Sequence, residues 1–207
     1  MNPNLHSLLC ELEDFGQRND SEVSHDDRAH RMLNISRDTG EFLGVLVRAT
    51  QAQRVLEIGT SNGYSTLWLG WAVRAVGGHV TTVELAPYKI EMARVNFARA
   101  DMDDVITQVQ GDAGEYLARL TTGSVDLLFL DSHRPDYVNW WPQIRRVLRP
   151  GGLLVVDNAI SHAEELRAFT EAVWLDNAFT CCTVPVGNGE FMATFVGEGR
   201  KPIAGLD

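Results

Sequence analysis

The sequence is short of cysteine and of positive charge, and it has no long apolar run. Cysteine occurs 3 times in 207 residues, at Cys10, Cys181 and Cys182. That number cannot build the framework that staples small secreted domains. Adjacent Cys181 and Cys182 read as ordinary strand residues, for which packing is expected rather than redox chemistry. Lys and Arg number 18 against 28 Asp and Glu, a formal net charge of −10. So acidic a chain lacks the cationic surface on which polyphosphate binding rests, and nucleic acid is not an expected partner. The best apolar stretch, Tyr64 to Val73, stops at Arg74, well short of the roughly 20 residues a bilayer demands. Glu11, Glu13 and Asp14 fall where an export signal would need apolar residues. No membrane partner is expected, and a reducing cytoplasm is the expected location.

What is present suits a globular chain: 44% hydrophobic and 22% charged residues. One domain is expected over 1–207, with a helical cap over 1–50 and an α/β core over 51–207. Strand-like and helix-like stretches alternate through that core. Strands are expected at Arg54–Ile58, His79–Glu84, Val105–Val109, Val125–Leu130 and Leu153–Val156. Helices are expected at Tyr64–Val76, Tyr88–Ala100 after Pro87, following Gly111-Asp112 through Leu120, Pro135–Leu148 and Ala163–Trp174. Two strands, Phe179–Val184 and Glu190–Val196, then follow without room for a helix, and Asn188-Gly189 is a hairpin signal. Such alternation implies a mostly parallel sheet with right-handed crossovers, helices on both faces and a terminal antiparallel hairpin. The first fifty residues read as helical, over Leu5–Phe15 and Asp26–Arg48, covering the edge of the sheet or its ligand.

In open α/β sheets ligands sit beyond the carboxyl ends of the strands. The first strand runs into Glu57-Ile58-Gly59-Thr60-Ser61-Asn62-Gly63-Tyr64-Ser65. Its G-x-x-x-G spacing lacks the middle glycine of the dinucleotide fingerprint, which argues against a nicotinamide cofactor and against a dehydrogenase. Glu84, at the second strand end, suits the vicinal hydroxyls of a ribose, or it is a solvated acid favoured by a helix N-terminus. Asp112, before Ala113, suits an adenine amino group, or it caps the next helix. Asp131 and Asp157-Asn158 end the fourth and fifth strands. If those strands are neighbours, their tips lie about 5 Å apart. Two carboxylates and an amide oxygen then make an all-oxygen set suited to Mg²⁺, or each acid simply caps the helix after it.

Taken in order and spacing, Val55 to Ser65, Val83-Glu84, Gly111-Asp112-Ala113, Phe129-Leu130-Asp131 and Val155-Val156-Asp157-Asn158 resemble the S-adenosylmethionine (SAM)-dependent O-methyltransferases of the catechol and caffeoyl-coenzyme A type. The resemblance runs from about Asp26 to Val196, including Met32 to Leu46 before the first strand and the late turn Pro185 to Gly189. It implies a Rossmann-like class I methyltransferase fold with a seven-stranded sheet. It implies a cofactor site from Glu57, Gly59, Thr60, Ser61, Gly63, Tyr64, Ser65, Glu84, Asp112, Ala113 and Asp131. The turn would take the methionine end, with Tyr64 and Ser65 at its carboxylate and backbone; Glu84 would take the ribose, and Asp112 with Ala113 the adenine. Asp131, Asp157 and Asn158 match the family's ligands for a divalent cation, Mg²⁺ first and Mn²⁺ or Ca²⁺ as alternatives. The acceptor implied is a small catechol-like or phenolic hydroxyl, clamped by the metal, and the assembly implied is a homodimer.

One position departs from the pattern. The family usually carries a lysine, offered as general base, three residues after the first metal aspartate; this chain has Arg134. Arginine stays protonated and cannot accept a proton at neutral pH. It can stabilise a phenolate, while His133 titrates in the right range to serve as base. Asp131, Arg134 and His133 are therefore the expected catalytic set. Trp140 and Trp141 could wall an aromatic substrate, but packing of their helix is the better expectation. Two other readings stand beside the enzyme: a fold that binds cofactor without turnover, favoured by Arg134, and a nucleic-acid methyltransferase. Pro135-Asp136-Tyr137 only faintly echoes the motif of the latter.

Overall fold

The computed structural model describes residues 1–24 and 26–197. Seven strands follow the order β3-β2-β1-β4-β5-β7-β6. They are β1 (Arg54–Ile58), β2 (His79–Glu84), β3 (Ile106–Gln110), β4 (Val125–Leu130), β5 (Leu148–Val156), β6 (Phe179–Val184) and β7 (Glu190–Phe195). The chain divides into two compact units, the first ending at Ala113 and the second beginning at Gly114.

In the first unit β1, β2 and β3 pair in parallel, Ile58 opposite Val83 and Glu84 opposite Gln110. Helices α3 (Tyr64–Arg74) and α4 (Pro87–Arg99) follow β1 and β2. Ahead of β1 come α1 (Pro3–Glu22) and α2 (Arg37–Thr50), both packed on α3. The α2–α3 contact is close because Gly40 and Gly44 give room to indole rings: a Cβ at Gly40 would lie 2.5 Å from Trp68. Arg48 spreads over the Trp71 ring at 3.7 Å, a cation–π contact.

The region before β1 is not helical throughout. Between the helices, Arg28–His30 makes one 3-10 turn and 31–36 has no regular secondary structure. The side chain of Asp20 explains the break. Its Oδ1 accepts from the Met32 amide at 2.9 Å and its Oδ2 from the Leu33 amide at 3.0 Å, while Leu33 takes a φ of +50°. A backbone whose amides point at a side chain has no helical ladder. Ser36 then opens α2 by accepting the Thr39 amide on its hydroxyl.

In the second unit β4 and β5 pair in parallel, Leu130 opposite Val156, and β7 runs antiparallel between β5 and β6. Leu127 to Leu130 and Leu154 to Val156 have no exposed surface, as strands covered on both faces require. Asp126 interrupts the apolar run of β4, held by the Arg149 guanidinium at 2.5 Å. Arg149 to Gly152 belong to β5, which starts at Leu148 rather than Leu153 through an irregular register against Val125. The helix expected from Pro135 divides into a 3-10 turn, Arg134–Asp136, and α6, Tyr137–Val147. Helices α5 (Ala113–Arg119) and α7 (Ala163–Trp174) complete the unit. Trp141 lies against Phe169 and Phe179, with ring centroids 5.9 and 4.9 Å away, so it packs α6 on its neighbours. The hairpin turn centres on Gly187-Asn188, one residue earlier than expected. The Gly189 amide closes it onto the Val186 carbonyl, and Gly187 has a φ of +54°. Cys181 and Cys182 are free thiols on β6, and burial pushes the Cys181 thiol up to about 11. Among the described residues no helix is long and apolar enough to cross a membrane.

Candidate functional site

The first unit gathers the glycine turn, Glu84 and Asp112 at the carboxyl ends of β1, β2 and β3. Gly59 and Gly63 have φ values of +107° and +88°, and Ser61 between them is at +48°. Such angles favour glycine. A Cβ at Gly63 would also come within 2.6 Å of the Phe97 ring. The turn is held from below: Gly59 donates to the Val83 carbonyl, Asn96 Nδ2 donates to the Asn62 carbonyl, and the Thr60 and Thr82 hydroxyls are 2.6 Å apart. From above, the Ser61 hydroxyl donates to the Met32 carbonyl at 2.8 Å. The segment ahead of α2 therefore reaches the turn.

Glu84 binds the same turn. Its Oε2 accepts the Ser61 amide at 2.9 Å, and its Oε1 accepts the amides of Leu85 and Ala86 at 2.9 Å each. The carboxylate fixes both the turn and the two residues ahead of α4, and its remaining lone pairs can accept further hydroxyls. Helix α3 has as its N-cap Gly63, which has no side chain; the Tyr64 amide donates to Asn62 Oδ1 at 3.1 Å, and the first turn carries no acid. Its positive end therefore suits a ligand carboxylate. Asp112 is exposed, directly before α5, and Ala113 is 8% exposed.

Three expected cofactor residues point inward instead. Glu57 is wholly buried. Its Oε1 accepts from the Ser65 hydroxyl at 2.6 Å, and its Oε2 from the hydroxyls of Thr66 and Thr82. Burial pushes its carboxyl up to about 7, against those three hydroxyls. Glu57 and Ser65 thus join β1, α3 and β2. The Tyr64 side chain is 1% exposed, edge-on to Trp68 and within the field of Glu13 and Arg37 on α1 and α2. Only its backbone faces the turn.

The second unit sets side by side the strand ends that carry Asp131 and Asp157. Parallel pairing places Leu130 beside Val156, and the Asp157 amide donates to the Leu130 carbonyl at 3.1 Å. Asp157 is 3% exposed. Its Oδ2 accepts Asn158 Nδ2 at 2.7 Å, while its Oδ1 is buried with no hydrogen bond. Burial raises its pKa, opposed by Glu190, by Asn158 and by the charges of Arg134 and His162. Asn158 adopts a φ of +67°, which asparagine tolerates better than most residues. Among the described residues no three or more His, Cys, Asp or Glu side chains assemble into a metal-holding group.

The expected base is not in place. His133 is exposed and pairs with Asp136 at 3.0 Å, within its own turn. Arg134 is 4% exposed at its side chain and donates through Nε to Glu165 on α7 at 2.8 Å. Its guanidinium faces α7 and its charge reaches Asp157. Two residues here were not singled out from sequence. His162 lies by Asp157, its amide on the Asn158 carbonyl and its Nδ1 2.9 Å from the Ser161 hydroxyl. Glu190 opens β7, is wholly buried, and comes opposite Asp157 one step beyond the Val156–Phe191 pair. The signal available was Glu190 beside Gly189, a charge at the start of a strand expected to be buried.

The O-methyltransferase family model matches residues 13–194. The chain belongs to the O-methyltransferase family. Within it, the chain is 42% identical over 130 residues to a catechol O-methyltransferase of Mycobacterium tuberculosis, a stretch covering 62% of this chain and 58% of that protein. It is 33% identical over 137 residues to a catechol O-methyltransferase of Niastella koreensis, covering 65% of this chain and 62% of that one. The matched stretch therefore spans about three fifths of those relatives' length. Among solved structures, the O-methyltransferase TomG of Streptomyces achromogenes, involved in tomaymycin synthesis and solved in complex with SAM, superposes with a TM-score of 0.75 at 27% identity, covering 95% of this chain and 91% of that one. This family membership agrees with the doubly wound sheet and terminal hairpin.

The Glu57 cluster makes a prediction. A carboxyl whose folded pKa is near 7 and whose unfolded pKa is about 4.3 favours the folded state while protonated. That contribution is complete at low pH and is lost as pH rises toward 7. Glu57→Gln, neutral at every pH, should gain on the wild type across that window by on the order of 3 kcal/mol. Denaturant titrations of both proteins at pH 4.5 and 7.5 check it; a stability difference that does not change with pH would contradict the buried-carboxyl assignment.

Proposed function

We propose that the chain transfers the methyl group of SAM to one hydroxyl of a small catechol-like or phenolic acceptor. The observation that carries the reading is the Glu84 carboxylate fastened to the glycine turn through Ser61, beside the acid-free first turn of α3, in a member of the O-methyltransferase family. Those groups suit the three parts of the cofactor: Glu84 its ribose hydroxyls, Asp112 with Ala113 its adenine, and the turn from Gly59 to Gly63 with the first amides of α3 its amino-acid end. When bound, SAM supplies a methyl group on a sulfonium, already an electrophile. The protein's work is then alignment of the acceptor oxygen and exclusion of water.

Asp131, Asp157 and Asn158 would hold a divalent cation, Mg²⁺, Mn²⁺ or Ca²⁺, since the buried Asp157 Oδ1 has no hydrogen-bond partner and is left for a ligand. The cation would lower the pKa of an acceptor hydroxyl. Arg134 keeps its proton and its bond to Glu165; its charge steadies ionised Asp157 and a phenolate near it. His162 rather than His133 is assigned to receive the acceptor's proton, because it stands by Asp157 while His133 is exposed. A cytoplasmic location and a homodimer complete the reading, the first supported by the free thiols of Cys181 and Cys182 and the second by the family resemblance.

Three measurements test it. Glu84→Ala should weaken SAM affinity by tenfold or more in a calorimetric titration; unchanged affinity would remove the ribose assignment. With methyl-labelled SAM and a panel of catechols, label should reach the acceptor in the presence of Mg²⁺ and fall to background with a chelator. Transfer that survives chelation would return Asp131, Asp157 and Asn158 to structural roles; SAM binding with no transfer to any phenol would favour the non-catalytic reading, which Arg134 supports. In the same assay His162→Ala should slow turnover by about 10²-fold, the usual scale of general-base catalysis, with His133→Ala far less affected. Equal losses would reject the choice of His162.

A further inference from the structure

A second carboxylate stands behind Asp157, on a strand that neither the glycine turn nor the expected ligand set involves. In the antiparallel ladder Val156 lies opposite Phe191. One step further, Asp157 comes opposite Glu190. Glu190 is 0% exposed and Asp157 3% exposed, so this register sets two buried carboxyls against one another. Like charges directly opposite one another on a sheet repel, and burial removes the water that would screen them. Two carboxylates bring no hydrogen of their own, so a pair this close is held by a shared proton or by a nearby positive charge. The Arg134 guanidinium is a permanent one.

The backbone makes this arrangement rigid. The carbonyl of Gly189 accepts from the Ala159 amide at 2.7 Å, and that of Asn188 from the amides of Ile160 and Ser161 at 3.2 and 3.0 Å. A Cβ at Gly189 would meet Ile160 at 2.3 Å. The β6–β7 turn is thus bolted to the loop that carries Asp157 and Asn158, and Glu190 is the side chain this junction directs at Asp157. The Asp157 oxygen that lacks a hydrogen bond lies in the same buried place.

We propose that Glu190 is a positioning residue for cation binding, holding the Asp157 carboxylate in the direction that a divalent ion needs. The proposal rests on the cation reading given above and adds to it a residue from β7. Outer groups that orient a ligand are worth 10–100-fold in metal affinity. What matters in this role is reach: Gln keeps the length of the side chain and can donate to Asp157, whereas Asp keeps the charge but withdraws by one methylene.

The test is Mn²⁺ binding to the full chain without SAM or acceptor, followed by the electron paramagnetic resonance signal of free Mn²⁺, with thermal melting to verify folding. Wild type should bind Mn²⁺, Glu190→Gln should bind within about threefold of it, and Glu190→Asp should lose roughly tenfold or more. If Glu190→Asp does not fold, Glu190→Ser supplies the same loss of reach, with Glu190→Gln as its uncharged reference. Retained affinity in every variant would overturn the proposal and leave Glu190 a packed group. Loss in Glu190→Gln with retention in Glu190→Asp would overturn it in favour of a purely electrostatic role. Wild type that binds no Mn²⁺ would overturn the cation reading itself, and Glu190's role with it, a result distinct from either of the others.

Discussion

A carboxyl without access to water, Glu57, sets the geometry of the first unit. It lies on β1, beside β2, and is satisfied only by hydroxyls from the first turn of α3 and from β2. Those bonds tie the helix to the strand before it and the strand beside it. The turn from Gly59 to Gly63 is what remains between these fixed points, so its path is short and its φ values are those glycine tolerates. Glu84 then closes the turn from the neighbouring strand end. A ligand that meets this turn meets a surface already organised, and little ordering is left to be done on binding.

The second unit handles buried acid differently. Asp157 is supported by the Asn158 amide and by the charge of Arg134, yet one of its oxygens is left without a hydrogen bond. A structural acid would be expected to be fully satisfied. That unbonded oxygen is the observation on which the proposed cation site rests. The replacement of a titratable amine by Arg134 fits the same pattern: a guanidinium contributes charge without exchanging a proton, and its bond to Glu165 keeps it in place.

The strands were the most legible part of the sequence, because each is a short β-branched run closed by Gly, Pro or an acid. Arg54–Ile58, His79–Glu84, Val125–Leu130 and Phe179–Val184 have the expected bounds. The stretch from Asp26 to Ser36 was misread as helix because what ends the helix there is a distant side chain, Asp20, and no local pattern reveals it. At the site, the turn, Glu84, Asp131, Asp157 and Asn158 could be picked out by their position at strand ends. The roles of Glu57, Ser65 and Tyr64 could not, since which way a side chain at a strand or helix end points depends on packing. His133 and Arg134 show the same limit: adjacent residues in a 3-10 turn face opposite surroundings, one solvent and one Glu165. Glu190 was invisible because its meaning comes from register across a hairpin.

The central claim is that the carboxyl ends of β1, β2 and β3 recognise an adenosyl sulfonium rather than a dinucleotide. Isothermal titration of the purified chain with SAM, S-adenosylhomocysteine and NADH tests it most directly. The account expects one equivalent of SAM or S-adenosylhomocysteine to bind and NADH to give no saturable heat. Saturable binding of NADH with none of SAM would contradict it.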